Sequence, residues 1–240
     1  MSLNRYAAEY ERWRSDPEGF WRDAAAALPW TRPFDSVIDD SRGAPPTWFA
    51  GGEINACRAA LDIHIERGRG DEIALIYESA MTGARARYSF AEIRDQTARF
   101  AGGLISLGVA RGDRVIIYMP MVPEAVIAML ACARIGAIHS VVFGGFASRE
   151  LAARIDHAEP KVIVSASCGF EPGRTVNYKR LLDDAIALAA HKPHRCIILN
   201  RKEGPCALTA GQDVDFDALQ RDASPAPCEP MNAADPLYIL

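Results

Sequence analysis

The sequence predicts an α/β protein with a doubly wound, largely parallel sheet and a helical N-terminal extension. Three observations point to this. Short apolar runs at Arg114 to Tyr118, Ile138 to Phe143, Lys161 to Ala166 and Arg195 to Leu199 have the length and content of strands buried on both faces. Segments with helical spacing of apolar residues alternate with them over short connections, and right-handed βαβ units built this way carry helices on both faces. Before residue 55 this alternation is absent, so residues 1–54 read as an extension and 55–240 as the start of the main domain.

Within the extension, Tyr6, Tyr10 and Trp13 share one face of a first helix and are expected to dock on a neighbouring core. Asp16 caps a second helix opened by Pro17. Residues 31–52, rich in Pro, Gly and Asp, read as a connecting segment. A helix over Ala56 to Glu66 precedes strands at Ile73 to Tyr77 and Arg85 to Tyr88. Ser89 with Glu92 forms a capping box for a helix from Phe90 to Leu107, which Gly108 stops. Pro123 opens a helix with Val126, Met129, Leu130 and Ala133 on its apolar face, ended by Gly136. Further helices are expected at Tyr178 to Ala190 and Phe216 to Arg221, with a linker from Asp222 to Ala234.

Of 240 residues, 49% are apolar and 24% charged, and the formal net charge is −4 with a pI near 5.8. That balance gives no basic footprint for nucleic acid. The longest apolar run, Ala125 to Ala133, is broken by Arg134 and Gly136, which argues against a membrane span, and the acids Glu9, Glu11, Asp16 and Glu18 argue against a targeting peptide. The six cysteines lie far apart with no Cys-x-x-Cys, as in a reduced, cytoplasmic protein. His191 and His194 flank a Pro-containing turn without a third ligand, so they read as solvated loop residues and no metal site is expected.

The segment from Val141 to Arg174 carries the candidate site. Gly144-Gly145-Phe146 follows a strand, and Ser148 is placed to cap the next helix, so free amides there favour an anion. Residues 167–177 form a loop beyond the next strand, at the sheet edge where open α/β folds hold ligands, and Arg174 stands in it. A tight turn without a ligand fits the diglycine equally well.

The stretch from Tyr118-Met119-Pro120-Met121 to Val142-Phe143-Gly144-Gly145-Phe146 closely resembles the AMP-forming acetyl- and propionyl-CoA synthetases of the adenylate-forming superfamily. So do Trp48-Phe49-Ala50-Gly51-Gly52 with Asn55, and Met231 to Leu240. By this resemblance the chain is the N-terminal portion of a short-chain acyl-CoA ligase with an incomplete adenylate-forming domain, using CoA, ATP and magnesium. The ATP phosphate loop, the magnesium ligands and the adenylation lysine would lie outside the chain, which alone is expected to be inactive. Propionate is the preferred carboxylate, because Ser165 to Arg174 looks closer to the propionyl branch, with acetate the alternative.

The resemblance also implies the site residues. Phe143 is a wall beside the CoA adenine, or else a core residue at a strand end, and Gly144 and Gly145 allow close backbone contact. Glu171, Pro172, Gly173 and Arg174 match a loop in which two arginines bind the CoA 3′-phosphate; here Glu171 holds the first position and would oppose the charge of Arg174. Lys179 and Arg180 match basic family positions but read equally as solvated helix residues. No catalytic residue is assigned, since neither paired carboxylates nor triad spacing is present. The rival readings are a non-catalytic CoA or nucleotide-binding module, and an NAD-dependent oxidoreductase, which the lack of Gly-x-Gly-x-x-Gly after a strand disfavours.

Overall fold

Residues 3–41 and 43–240 are described in the computed structural model. Helices α1 (Leu3–Ser15) and α2 (Pro17–Ala25) open the chain, and Asp16 caps α2 by accepting from the Gly19 amide at 3.0 Å. Residues 31–52 are more than a connection, because β1 (Ser36–Asp39) and β2 (Thr47–Ala50) pair within them as an antiparallel hairpin. The aromatic stripe of α1 does not dock on a core: Tyr6 is 67% exposed and stacks on Tyr10, which lies tilted against Trp13.

A π-helical turn (Arg58–Asp62) runs into α3 (Ile63–Glu66). Strands β3 (Ile73–Glu78) and β4 (Arg85–Ser89) form a separate antiparallel pair. There follow α4 (Phe90–Ser106), β5 (Arg114–Tyr118), α5 (Pro123–Ile135), β6 (Ile138–Val141), α6 (Ser148–Ala158) and β7 (Val162–Ala166). Strands β8 (Gly169–Glu171) and β9 (Arg174–Val176) make a second hairpin, before α7 (Tyr178–Leu188), β10 (Arg195–Leu199), β11 (Asp213–Asp215), α8 (Phe216–Asp222) and β12 (Tyr238–Ile239). The capping box at α4 forms as the sequence predicts, with the Glu92 amide donating to Ser89 Oγ and the Ser89 amide to Glu92.

Six strands form one parallel sheet in the order β11-β10-β7-β5-β6-β12. Side chains alternate along each strand, so Val115 and Ile117 join α4, α5 and α8 in a core on one face. Ile116 and Tyr118 join α6 and α7 in a core on the other. This is the doubly wound arrangement the sequence predicts. The chain passes from β5 to β6 on one side and then crosses back over β5 to β7, so the reversal of strand order falls at the C-terminal end of β5.

The inward face of α5 differs from the expected one. Ile127, Ala128, Ala131 and Cys132 are buried, while Val126, Met129 and Leu130 are only partly covered. An almost wholly apolar helix gives periodicity little contrast to register.

Asn55 ties three segments together. Its Oδ1 accepts from the amides of Cys57 and Arg58 at 2.9 and 3.1 Å, capping the helix that follows. Its Nδ2 donates among the carbonyls of Ala133, Arg134 and Glu229 at 3.0, 3.1 and 2.8 Å. Residues 223–234, expected to be a linker, are thus a strap held to α5 and to the start of the domain, with Arg134 reaching the Ala226 carbonyl at 2.7 Å.

Candidate functional site

Three loops converge where the strand order reverses: 119–122 after β5, 142–147 after β6, and the β8–β9 hairpin after β7. Because β6, β5 and β7 are adjacent, these loops are neighbours at the C-terminal edge of the sheet, where ligands of open α/β sheets sit.

Beneath the diglycine turn lies a pair of tyrosines. Tyr118 ends β5 and donates to the Phe146 carbonyl at 2.9 Å, fixing the course of the turn. Its ring lies 4.9 Å from that of Tyr178, the first residue of α7. Burial, with the neighbouring Tyr178, pushes the Tyr118 phenol up to about 12. Burial, then Glu171, raises Tyr178 as well, so both hydroxyls stay protonated at neutral pH. A Cβ on Gly144 would stand 1.8 Å from the Tyr178 hydroxyl oxygen, and one on Gly145 would stand 2.5 Å from the Phe143 ring. Gly144 is therefore required by close approach to the buried Tyr178, whereas the exposed Phe143 ring beside Gly145 is free to move.

Phe143 is not a core residue. It is 71% exposed, and the buried residue of that segment is Val142. Strand β6 ends at Val141, before the expected Phe143, leaving the Phe143 ring edge-on to Phe146 at 5.7 Å, while Arg154 stacks on Phe146 at 4.2 Å. Ser148 is the first helical residue rather than the cap; the cap position is Ala147, which has no side chain to offer an amide. The amides at the start of α6 are consequently left without a side-chain acceptor at the cap.

Residues 167–177, expected to be a loop, form the β8–β9 hairpin. Glu171 and Arg174 face each other across its turn, and Pro172-Gly173 supplies the bend, with Gly173 at φ +76°. The Arg174 guanidinium lies 2.6 Å from the Glu171 carboxylate, so the acid opposes the arginine's charge by pairing with it.

Two grooves share the diglycine turn. One, of about 510 Å³, is lined by Gly144, Gly145, Glu171, Arg174 and Arg180. The other, of about 490 Å³, is lined by Phe143, Gly144, Gly145, Met119, Tyr178 and Arg201. All the predicted site residues except Pro172 and Gly173 line one groove or both, and those two form the turn at their rim. An exposed aromatic face on one groove and an exposed guanidinium on the other, with the diglycine turn between them, fit a nucleotide with a peripheral phosphate.

Lys179 corrects the expectation of a solvated residue. It is 5% exposed, and its ammonium lies 2.9 Å from Asp213 and 2.5 Å from Asp183, away from the grooves. Arg180 is exposed as expected. Arg201 and Tyr178 are groove residues that sequence reasoning missed. Arg201 follows the end of β10 and stacks on Phe170 at 4.8 Å, and its position just past a strand's C-terminal end was the available signal. His191 Nε2 donates to the Pro160 carbonyl, 2.9 Å away. Among the described residues no helix is long and apolar enough to cross a membrane.

The fold and this site describe a doubly wound α/β domain with two grooves at the C-terminal edge of its sheet. The chain belongs to the AMP-binding enzyme family, whose model matches residues 62–240, and residues 6–60 match the acetyl-coenzyme A synthetase N-terminus. It is 47% identical over 227 residues to the short-chain family member 3 acyl-CoA synthetase, mitochondrial, of Rattus norvegicus, covering 94% of this chain and 33% of that protein. It is 46% identical over 221 residues to the propionate–CoA ligase of Salmonella typhimurium, covering 92% of this chain and 35% of the ligase. The acetoacetyl-CoA synthetase of Streptomyces lividans superposes with a TM-score of 0.82 at 26% identity, over 95% of this chain and 35% of that one. The chain spans about a third of the length of the curated relatives it matches.

Proposed function

We propose that this chain supplies the CoA-binding edge of a short-chain acyl-CoA synthetase, with propionate the preferred carboxylate and acetate the alternative. Such an enzyme uses ATP to convert the carboxylate to an acyl-adenylate and then transfers the acyl group to the CoA sulfur, releasing AMP. The likeness to the Salmonella propionate–CoA ligase supports the substrate class. Residues 1–54 are taken as the synthetase extension and 55–240 as part of the adenylation domain. The free thiols at all six cysteines fit a reducing compartment such as the cytoplasm.

The observation that carries the reading is the placement of exposed Phe143 and exposed Arg174 on the two grooves that share the Gly144-Gly145 turn. In this reading Phe143 offers an apolar wall to the adenine. Arg174 donates to the 3′-phosphate, with Glu171 exchanged for the phosphate as partner, and the glycines bring the backbone close to the nucleotide.

Titration calorimetry of the chain with CoA and dephospho-CoA tests it. CoA is expected to bind more tightly, and Arg174→Ala to cost roughly ten- to hundredfold in CoA affinity, corresponding to one charge-assisted contact. Equal affinities for the two ligands, or an Arg174→Ala variant indistinguishable from wild type, overturns the assignment.

A further inference from the structure

Away from the grooves, four polar side chains meet where the π-helical turn, α5 and the strap converge. The sulfurs of Cys57 and Cys228 and a carboxylate oxygen of Asp62 all lie within 4.8 Å of one another. Such a set could hold a cation, but Arg134 already occupies it. Its guanidinium makes two bonds to Asp62, at 2.9 and 3.1 Å, and lies 3.5 Å from Cys57 Sγ. A fixed positive charge at that point repels a metal ion and favours a thiolate.

The two thiols are shifted in opposite directions. The contact with Cys228 lowers Cys57 most; burial opposes it, and the hydrogen bond and charge of Arg134 assist. The same contact with Cys57, then burial, raises Cys228, whose S–H donates to Asp62 at 3.6 Å. The more readily ionised sulfur therefore sits beside a thiol able to resolve it. Two other buried thiols, Cys132 and Cys196, are pushed up to about 12 by burial and are poor nucleophiles.

We propose that Cys57 and Cys228 form a reversible disulfide when the chain meets a hydroperoxide. The Cys57 thiolate attacks a peroxide oxygen and breaks the O–O bond, giving a sulfenic acid and hydroxide, which takes up a proton. Cys228 loses its proton and attacks the sulfenic sulfur, forming the S–S bond as hydroxide leaves and is protonated to water. In all, two thiols lose two electrons and two protons, and hydrogen peroxide becomes two waters. A dithiol reductant reverses the bond by exchange. Cys57 is fully buried and Cys228 is half-buried on the strap, so the strap is the side of the pair that faces solvent. The bond would covalently link the strap leading to β12 with the first helix of the domain.

The test is peroxide treatment of the reduced, folded chain, then thiol counting and non-reduced peptide mapping after denaturation in a blocking agent. Titratable thiols should fall by two of the six, a linked peptide pair containing Cys57 and Cys228 should appear, and dithiothreitol should restore both. A Cys228→Ala variant should lose the link and accumulate a Cys57 sulfenic acid that a dimedone probe captures. Oxidation elsewhere with Cys57 and Cys228 left as thiols overturns the proposal, as does retention of one zinc ion per chain that depends on both cysteines. The mapping uses the unaltered chain, so it decides the matter even if the variant fails to fold.

Discussion

Arg174 and Glu171 face each other across the turn of the β8–β9 hairpin with their charged groups 2.6 Å apart, and both side chains remain well exposed. An ion pair in that setting is held weakly, about 0.2–1 kcal/mol. A ligand phosphate that offers more acceptors can therefore displace the carboxylate. Glu171→Gln should tighten CoA binding by roughly two- to fivefold at low ionic strength, with the gain shrinking as salt is added. Calorimetric titrations at two salt concentrations check this, and no change at low salt would show that Glu171 does not compete for Arg174.

Gly144 has a role that does not depend on any ligand. A methyl group there would collide with the Tyr178 hydroxyl, 1.8 Å away, on a turn pinned by Tyr118. Gly144→Ala should lower stability by about 1–3 kcal/mol through overpacking. Adding Tyr178→Phe should return part of that loss by removing the closest atom. Urea denaturation of the single and double variants measures both, and a Gly144→Ala variant as stable as wild type would contradict the packing described.

Lys179 and Asp213 form a buried ion pair between α7 and β11, with side-chain exposures of 6% and 0%. Lys179→Met strands a buried carboxylate and should cost about 3–5 kcal/mol, much of which Asp213→Asn in the same chain should restore. Burial pulls the ammonium down, yet its bonds to Asp183 and Asp213 outweigh that and leave Lys179 above its ordinary value of 10.5. A raised folded-state value means that the pair's contribution is complete below the unfolded lysine value and fades as pH climbs through the folded one. Wild type should therefore lose stability above pH 10.5 in a way the double variant does not, as alkaline denaturation curves would show.

Ser89→Ala removes the side-chain acceptor of the α4 capping box and should cost about 1 kcal/mol in urea denaturation. The bond from the Ser89 backbone amide, then that involving its side chain, holds the Glu92 carboxyl below its ordinary range. This contribution is present at neutral pH and lost as acid protonates Glu92. The bond from the backbone amide is present in both chains and cancels, so only the part that runs through the Ser89 side chain should fade as pH falls below 4.5, and a gap that widens in acid would contradict the reciprocal box.

The large elements were legible because each carries a local signal. Ser89 with Glu92 marks the start of α4, Pro123 and Gly136 bracket α5, and the apolar strands β5, β7 and β10 fall within a residue of expectation. The short antiparallel hairpins were not legible. Three-residue strands such as Gly169–Glu171 and Arg174–Val176 are too brief for period-two alternation to register. Asp213–Asp215 conceals an edge strand because its outer residues are charged, and that concealment also hid the partner of Lys179. At the candidate site, Arg174 and the diglycine were visible as residue types. Their relations to Glu171 and Tyr178 depend on side-chain approach, which spacing along a chain does not encode.

Asn55 fastens an early segment of the chain to a late one. One carboxamide caps the helix after the extension, reaches the C-terminal turn of α5 and grips the strap at Glu229. Segments 174 positions apart along the chain thereby share one set of bonds. Opening the strap uncaps the helix, and fraying the helix releases the strap, so the two should exchange their amide hydrogens as one cooperative unit rather than as independent surface pieces.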